Sequence, residues 1–190
     1  MRRLLLALVT TATTALAGQR PIPITIETSL GRIEAELDSV HAPVTVTNFL
    51  RYVDAHMLDG GHFFRAVTLV NQPGESVKIE VIQSRTETVP RGKGFAPIAL
   101  ERTSVTGLKH HDGTLSMARS GPDTGTNQFF ITIGEQAELD FGGKRNPDGQ
   151  GFAAFGHVTK GMAVVRKIQT GAVRGQALVT PVTILRVARR

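Results

Sequence analysis

Period-two alternation runs through much of this chain. Ile22, Ile24 and Ile26 alternate with Pro23, Thr25 and Glu27, and after a turn at Ser29-Leu30-Gly31, Ile33, Ala35 and Leu37 alternate with Arg32, Glu34 and Glu36. Two such runs across a short turn predict a hairpin with one buried face. Between residues 43 and 56 the period changes. Val46, Phe49, Leu50 and Val53 fall at helical spacing, with Pro43 near the start and Gly60-Gly61 beyond the end. Met162, Val165 and Ile168 form a second helical stripe over 161–169. Further strands are expected at 62–67, 78–83, 113–118, 128–133, 152–159 and 181–188. Many short strands, two helices far apart in sequence and Gly-rich connections predict a mainly β fold, a closed antiparallel barrel with helical caps. Helices do not alternate with strands, so a parallel βαβ fold fits poorly, whereas a β-sandwich fits the same pattern. No repeat, low-complexity tract or long linker divides the chain.

Two strands carry residues on the wrong face for a simple core. In Gln128-Phe129-Phe130-Ile131-Thr132-Ile133, the Phe129/Ile131/Ile133 face is wholly apolar and is expected inside, which leaves Phe130 outside beside Gln128. At 62–67, Phe64 and Ala66 suit the core and place Phe63 and Arg65 on the opposite face; Arg is seldom buried without a partner. Outward Arg, Gln and Phe suit a small apolar hollow rimmed by donors. A surface Arg beside a Phe half-covered by a loop fits the same periodicity.

Composition narrows the chemistry. With 190 residues, 41% apolar and 20% charged, the chain can bury one core. Cysteine is absent, which excludes disulfides, thiolate metal sites and thiol nucleophiles. The net charge of +6 is too small for a nucleic-acid signature. Part of it belongs to the first seventeen residues, where Arg2-Arg3 precede an apolar stretch over 4–16 and Ala15-Leu16-Ala17 offers a small-x-small cleavage pattern. This reads as a secretory signal that is too short for a membrane span. Its removal, with Arg2 and Arg3, would take the charge from +6 to +4. The expected organisation is a signal peptide over 1–17 and one domain over 18–190, monomeric, exported to a periplasm or secreted, with no stable membrane insertion afterwards and no nucleic-acid partner.

The run Gly113-Thr114-Leu115-Ser116-Met117-Ala118-Arg119, followed by Gln128-Phe129-Phe130-Ile131 and Leu139-Asp140, resembles the central motif of the cyclophilins. Phe152-Ala153-Ala154-Phe155-Gly156-His157-Val158 and Gly161-Met162 continue the likeness in the family's order. Upstream, Thr45-Val46-Thr47-Asn48-Phe49 resembles the first-helix motif and Phe63-Phe64-Arg65 the Phe-x-Arg strand. The matches span roughly residues 22–188. The resemblance implies an eight-stranded antiparallel barrel capped by two α-helices, peptidyl-prolyl cis-trans isomerase activity on proline-containing polypeptides, a role in folding exported proteins, and no cofactor or metal. A catalytically weak peptide-binding or chaperone module on the same barrel is the alternative.

Residue by residue, the resemblance places Arg65 at the catalytic arginine and Gln83 at the glutamine that holds the substrate backbone. It places Ala118 and Arg119 at the strand end whose main chain grips the peptide, and Gln128 at a further polar contact. Phe130, Leu139 and Phe152 fall in the proline pocket. The chain departs from the family pattern in several places. About ten additional residues separate Arg65 from Gln83, Glu80-Val81 and Ser84-Arg85 replace a Phe-Met pair and two glycines, and Arg119 replaces the commoner Asn. Glu138 stands where many members carry Trp, and Phe152 where eukaryotic members carry His, which implies weak cyclosporin binding.

Other constellations carry less. His110-His111-Asp112 are adjacent on an extended loop, where side chains diverge instead of converging on a metal. Asn146-Pro147-Asp148-Gly149 is turn chemistry. Ser116 has no evident His/Asp partner pattern for a hydrolase. Mass spectrometry of the exported protein is expected to read Gly18 as the first residue; an intact Met1 end would reject cleavage after Ala17.

Overall fold

The computed structural model describes residues 21–86 and 94–190; the expected signal peptide lies outside them. The first hairpin forms as its alternation predicts. β1 (Ile22–Thr28) pairs with β2 (Gly31–Leu37), and Ile24, Ile26, Ile33, Ala35 and Leu37 are fully buried. Seven further strands follow: β3 (His62–Val67), β4 (Val81–Arg85), β5 (Thr114–Met117), β6 (Phe129–Thr132), β7 (Ala153–Lys160), the two-residue β8 (Val173–Arg174) and β9 (Ala177–Arg189). Neighbours run in the order β1-β2-β7-β5-β6-β4-β3-β9, and β9 pairs back onto β1. Every pairing is antiparallel, so eight strands close a barrel with no free edge, and β8 only extends β9. Closure settles the choice between barrel and sandwich.

Two longer helices pack on different strands of the barrel, the first against β7 and β9 and the second against β2, β3 and β4. α1 (Pro43–Asp54) follows the Leu37 end and inserts Phe49 edge-on against Phe129, with ring centroids 5.4 Å apart. A one-turn α2 (Thr103–Thr106) was not expected. α3 (Met162–Gln169) packs at the Gly31 end and buries Val165 and Ile168 completely. It can begin there because Gly161 has φ +95°, and a Cβ at that position would stand 2.5 Å from the Arg32 carbonyl oxygen. α1 has Pro43 at its first turn but no capping side chain of its own. Glu101 supplies the cap from far along the chain. Its carboxylate accepts the N–H groups of Val44 (2.9 Å) and Thr45 (2.7 Å) and the Thr45 hydroxyl (2.6 Å), on the helix end where negative charge is favoured.

The face assignment for β6 holds: Phe129 and Ile131 are fully buried in the main core, while Phe130 belongs to a separate apolar cluster with Val67, Ile79, Val81 and Leu139. For β3 it fails by one residue. Phe63, not Phe64, fills the core, because a β-bulge lies between Phe63 and Arg65; Phe63 opposes Ser84 and Arg65 opposes Gln83, leaving Phe64 without a partner. The extra residue lets Phe63 and Ala66 both face inward while Arg65 stays outside. Phe64 is left half-exposed under the Arg85 guanidinium, 5.0 Å from its ring centroid.

Replacing Glu101 by Ala is expected to cost roughly 1–2 kcal/mol. The reading is a lower urea midpoint with an unchanged slope.

Candidate active site

Residues directly opposite one another in paired strands point to the same face. The registers Arg65↔Gln83 across β3–β4 and Gln83↔Phe130 across β4–β6 therefore set Arg65, Gln83 and Phe130 in one row on the outer surface of the barrel. The row opens onto a cavity of about 220 Å³ lined also by Ile79, Val81, Ala118, Arg119, Leu139, Arg145, Asn146 and Phe152. That is smaller than the roughly 300–1,000 Å³ of drug-sized sites and suits a ring-sized group. Gln128 lies in an adjoining hollow that shares Gln83, Ala118 and Arg119 with the cavity. All the residues singled out in the sequence thus meet in one groove with two lobes. Sequence reasoning missed Ile79, Arg145 and Asn146 as lining residues, since nothing in their local pattern distinguishes them from ordinary loop positions.

The Arg65 guanidinium is held by neutral acceptors. Nη1 donates to Gln83 Oε1 at 2.8 Å, and Nε (2.9 Å) and Nη2 both donate to Oε1 of Gln176, from the turn between β8 and β9. Gln83 also donates from Nε2 to Gln128 Oε1 at 3.4 Å. Gln176 carried no signal in the sequence, because it is brought in from more than a hundred residues away. Partial burial holds the Arg65 pKa below the usual arginine value, the nearby positive charge of Arg145 adds to this, and Glu75 opposes it. Among the described residues no carboxylate bonds to Arg65. Arg65 lines the cavity with its hydrogen bonds going to neutral amide oxygens, so its charge is not cancelled by a bonded carboxylate.

The apolar wall is built from aromatic contacts. Phe130 meets Phe152 edge-on at 5.2 Å, and Leu139 is 1% exposed beside them. Behind Phe130, the His110 imidazole stacks at 6.1 Å and 13°. His110 is fixed at both nitrogens, by Asp140 at Nδ1 (2.7 Å) and by the Ser116 hydroxyl at Nε2 (2.8 Å). Ser116 therefore does have His and Asp partners, contrary to the sequence reading; they come from separate loops that only the fold brings together. Ser116 is fully buried and does not line the cavity, so the trio pins the back of the aromatic wall and offers no exposed nucleophile. His111 turns to Glu135, and Asp112 to Gly134 and Arg166, so the three adjacent residues diverge as expected.

Arg119 does more than present its backbone. Its side chain is 3% exposed and makes a bidentate pair with Asp148 (2.8 and 2.9 Å); Nε donates to the Gly151 carbonyl, and the guanidinium lies 5.1 Å from the Phe152 ring centroid. The 141–151 loop that carries Phe152 is clamped in this way onto the end of β5. Gly151, at φ +65°, is required there, since a Cβ would fall 2.5 Å from the Asp140 carbonyl carbon. Ser84, where the likeness expects glycine, bridges β4 to β6 with a hydroxyl that donates to the Phe129 carbonyl (3.0 Å) and accepts from its N–H (3.3 Å). The 68–78 segment is stitched by Gln72, whose buried amide bonds to both backbone groups of Ile79 and to the Thr68 carbonyl.

A family model described as cyclophilin type peptidyl-prolyl cis-trans isomerase/CLD matches residues 23–189. Peptidyl-prolyl cis-trans isomerase cyp18 of Streptomyces antibioticus is 36% identical over 156 residues, 80% of this chain and 87% of that protein. Peptidyl-prolyl cis-trans isomerase A of Dickeya dadantii is 36% identical over 155 residues, covering 81% and 74%. A cyclophilin-type isomerase of Cryptosporidium parvum shares the fold, with a TM-score of 0.71 at 20% identity over 90% of this chain and 98% of that one. The same protein determined in the presence of the dipeptide Ala-Pro gives 0.70 at 20% identity, over 88% and 98%.

Burial alone would raise the Asp140 pKa, but the His110 hydrogen bond and the charges of His110 and Lys109 outweigh it and hold the carboxyl below its ordinary 3.8. The folded state then binds this proton less readily than the unfolded chain, so the stabilisation is complete above the unfolded value and is lost as pH falls through the depressed native one. Urea midpoints measured from pH 6 downward are expected to fall more steeply in the wild type than in Asp140→Asn.

Proposed function

Because the chain belongs to the cyclophilin-type peptidyl-prolyl cis-trans isomerases and catalyses that isomerisation, we propose that the Arg65–Phe130 cavity is where it acts. The observation that carries this is the shared register row: a guanidinium held only by neutral acceptors, beside a ring-sized hollow walled by Phe130, Leu139 and Phe152. The Cryptosporidium isomerase determined in the presence of the dipeptide Ala-Pro supports a proline ring as the occupant.

Rotation about an X–Pro bond is slow because amide resonance gives its C–N bond double-bond character, with a barrier of about 18–20 kcal/mol. No bond is broken, so no nucleophile is needed. In the twisted state the nitrogen lone pair localises and becomes a hydrogen-bond acceptor. Arg65 donates to it, or to the prolyl carbonyl, more strongly than in the planar ground state, and this difference accelerates the reaction. Phe130, Leu139 and Phe152 grip the pyrrolidine ring. Gln83, Gln128 and the Ala118/Arg119 main chain hold the flanking peptide, so rotation is confined to the other side of the bond. An acceleration of about 10⁵ requires about 7 kcal/mol, within reach of one charge-assisted hydrogen bond, desolvation and orientation. Gln83 and Gln176 keep the guanidinium aimed without quenching its charge.

The basic start, the apolar stretch over 4–16 and the Ala15-Leu16-Ala17 triplet support export, so the substrates are exported polypeptides whose folding waits on proline isomerisation. The test is NMR exchange of an Ala-Pro peptide with wild type and Arg65→Ala. Exchange is expected to be faster in the wild type, with a loss of at least about tenfold in the variant. Equal rates with peptide binding retained would remove Arg65 from catalysis.

A further inference from the structure

Besides Arg65 and the Asp148-paired Arg119, the cavity holds a third guanidinium, which the isomerisation does not use. Arg145, on the 141–151 loop, lines the part of the cavity that is not shared with the Gln128 lobe. It is anchored to the 68–78 segment: Nη1 donates to the Val77 carbonyl at 2.7 Å and lies 3.4 Å from a Glu75 carboxylate oxygen, and its backbone N–H donates to the Glu138 carbonyl. Its side chain is only 11% exposed, whereas that of Glu75 is 51% exposed.

The charges at this end do not balance. Arg119 is matched by Asp148, and Arg65 meets only neutral glutamine oxygens. Glu138 is exposed and its carboxylate accepts the Lys144 N–H. Among the described residues Glu75 is the one carboxylate that faces Arg65 and Arg145, which leaves one net positive charge where solvent is partly excluded. Arg145 also acts on Arg65 as a like charge, and an anion between them relieves that repulsion. A planar guanidinium held by a carbonyl and a mostly exposed carboxylate is ready to exchange that carboxylate for another in a bidentate pair.

We propose that Arg145 forms an anion subsite beside the proline cavity, so that this isomerase favours substrates with an acidic side chain next to the proline on the side away from the Gln128 lobe. The inference rests on the cavity being the proline site. The subsite belongs to the segment that lengthens this chain between Arg65 and Gln83, since Val77 and Glu75 hold Arg145 in place. Because Arg145 lies at one end of the groove only, the preference is one-sided.

The test uses two pairs of Ala-Pro peptides, with Glu or Gln immediately after the proline and with Glu or Gln immediately before its alanine. NMR gives both the exchange rate and the affinity of each. In the wild type, Glu is expected to exceed Gln by about five- to tenfold at one of the two positions, and roughly 0.5 M salt should shrink the ratio. Arg145→Gln should bring the ratio to about one, Arg145→Lys should keep part of it, and Glu75→Gln should increase it by removing the competing carboxylate. Equal ratios at both positions, or a preference that survives Arg145→Gln, would overturn the subsite, and loss of the preference in Glu75→Gln would make the Arg145–Glu75 pair purely structural. Failure to bind or accelerate the Gln peptides would instead count against the proline site itself. The affinity ratio of Glu to Gln peptides reads the subsite in either case.

Discussion

The row Arg65–Gln83–Phe130 is a constraint of strand register, and the rest of the site depends on it. A slip of one residue in β4 would turn Gln83 to the core and bring Ile82 or Ser84 under the guanidinium in its place. The bulge at Phe64 protects the arrangement from the other side. It allows two inward residues, Phe63 and Ala66, to flank an outward arginine that strict alternation could not place between them. Barrel closure makes the register hard to shift, because every strand is paired on both edges apart from the short β8.

Around that row, the loops do what the barrel cannot. Strands supply one flat face, and a hollow needs walls that rise from it. Leu139 and Phe152 come from the connection between β6 and β7, held by the Arg119–Asp148 pair and by the His110–Asp140 contact. Arg145 and the 68–78 segment close a further side. The walls are therefore tied to the floor by charge-assisted hydrogen bonds between elements distant in sequence, which keeps the aromatic surfaces apart and the cavity open.

Arg65 itself illustrates a compromise. A carboxylate partner would hold it more strongly but would also cancel the charge that a localising lone pair must meet. Two glutamine oxygens fix the geometry and leave the charge intact. His110 shows the opposite design, a group fully satisfied by Asp140 and Ser116 and used only as packing behind Phe130.

The hydrophobic pattern alone determined the first hairpin, both longer helices and the faces of β6, because period 2 and period 3.6 are local properties that burial enforces wherever a strand or helix meets a core. The motif run from Gly113 to Phe130, with Arg65 upstream, also made most of the groove legible. Tertiary structure decided the remainder. The Phe64 bulge arises from pairing with β4 and leaves no mark on the local alternation. Glu101 caps α1, Gln176 orients Arg65 and Asp140 meets His110 only after the chain has returned from a distance. Hydrogen bonds of that kind are chosen by position in space, and a linear pattern of polar residues does not record which of them the closed barrel will bring face to face.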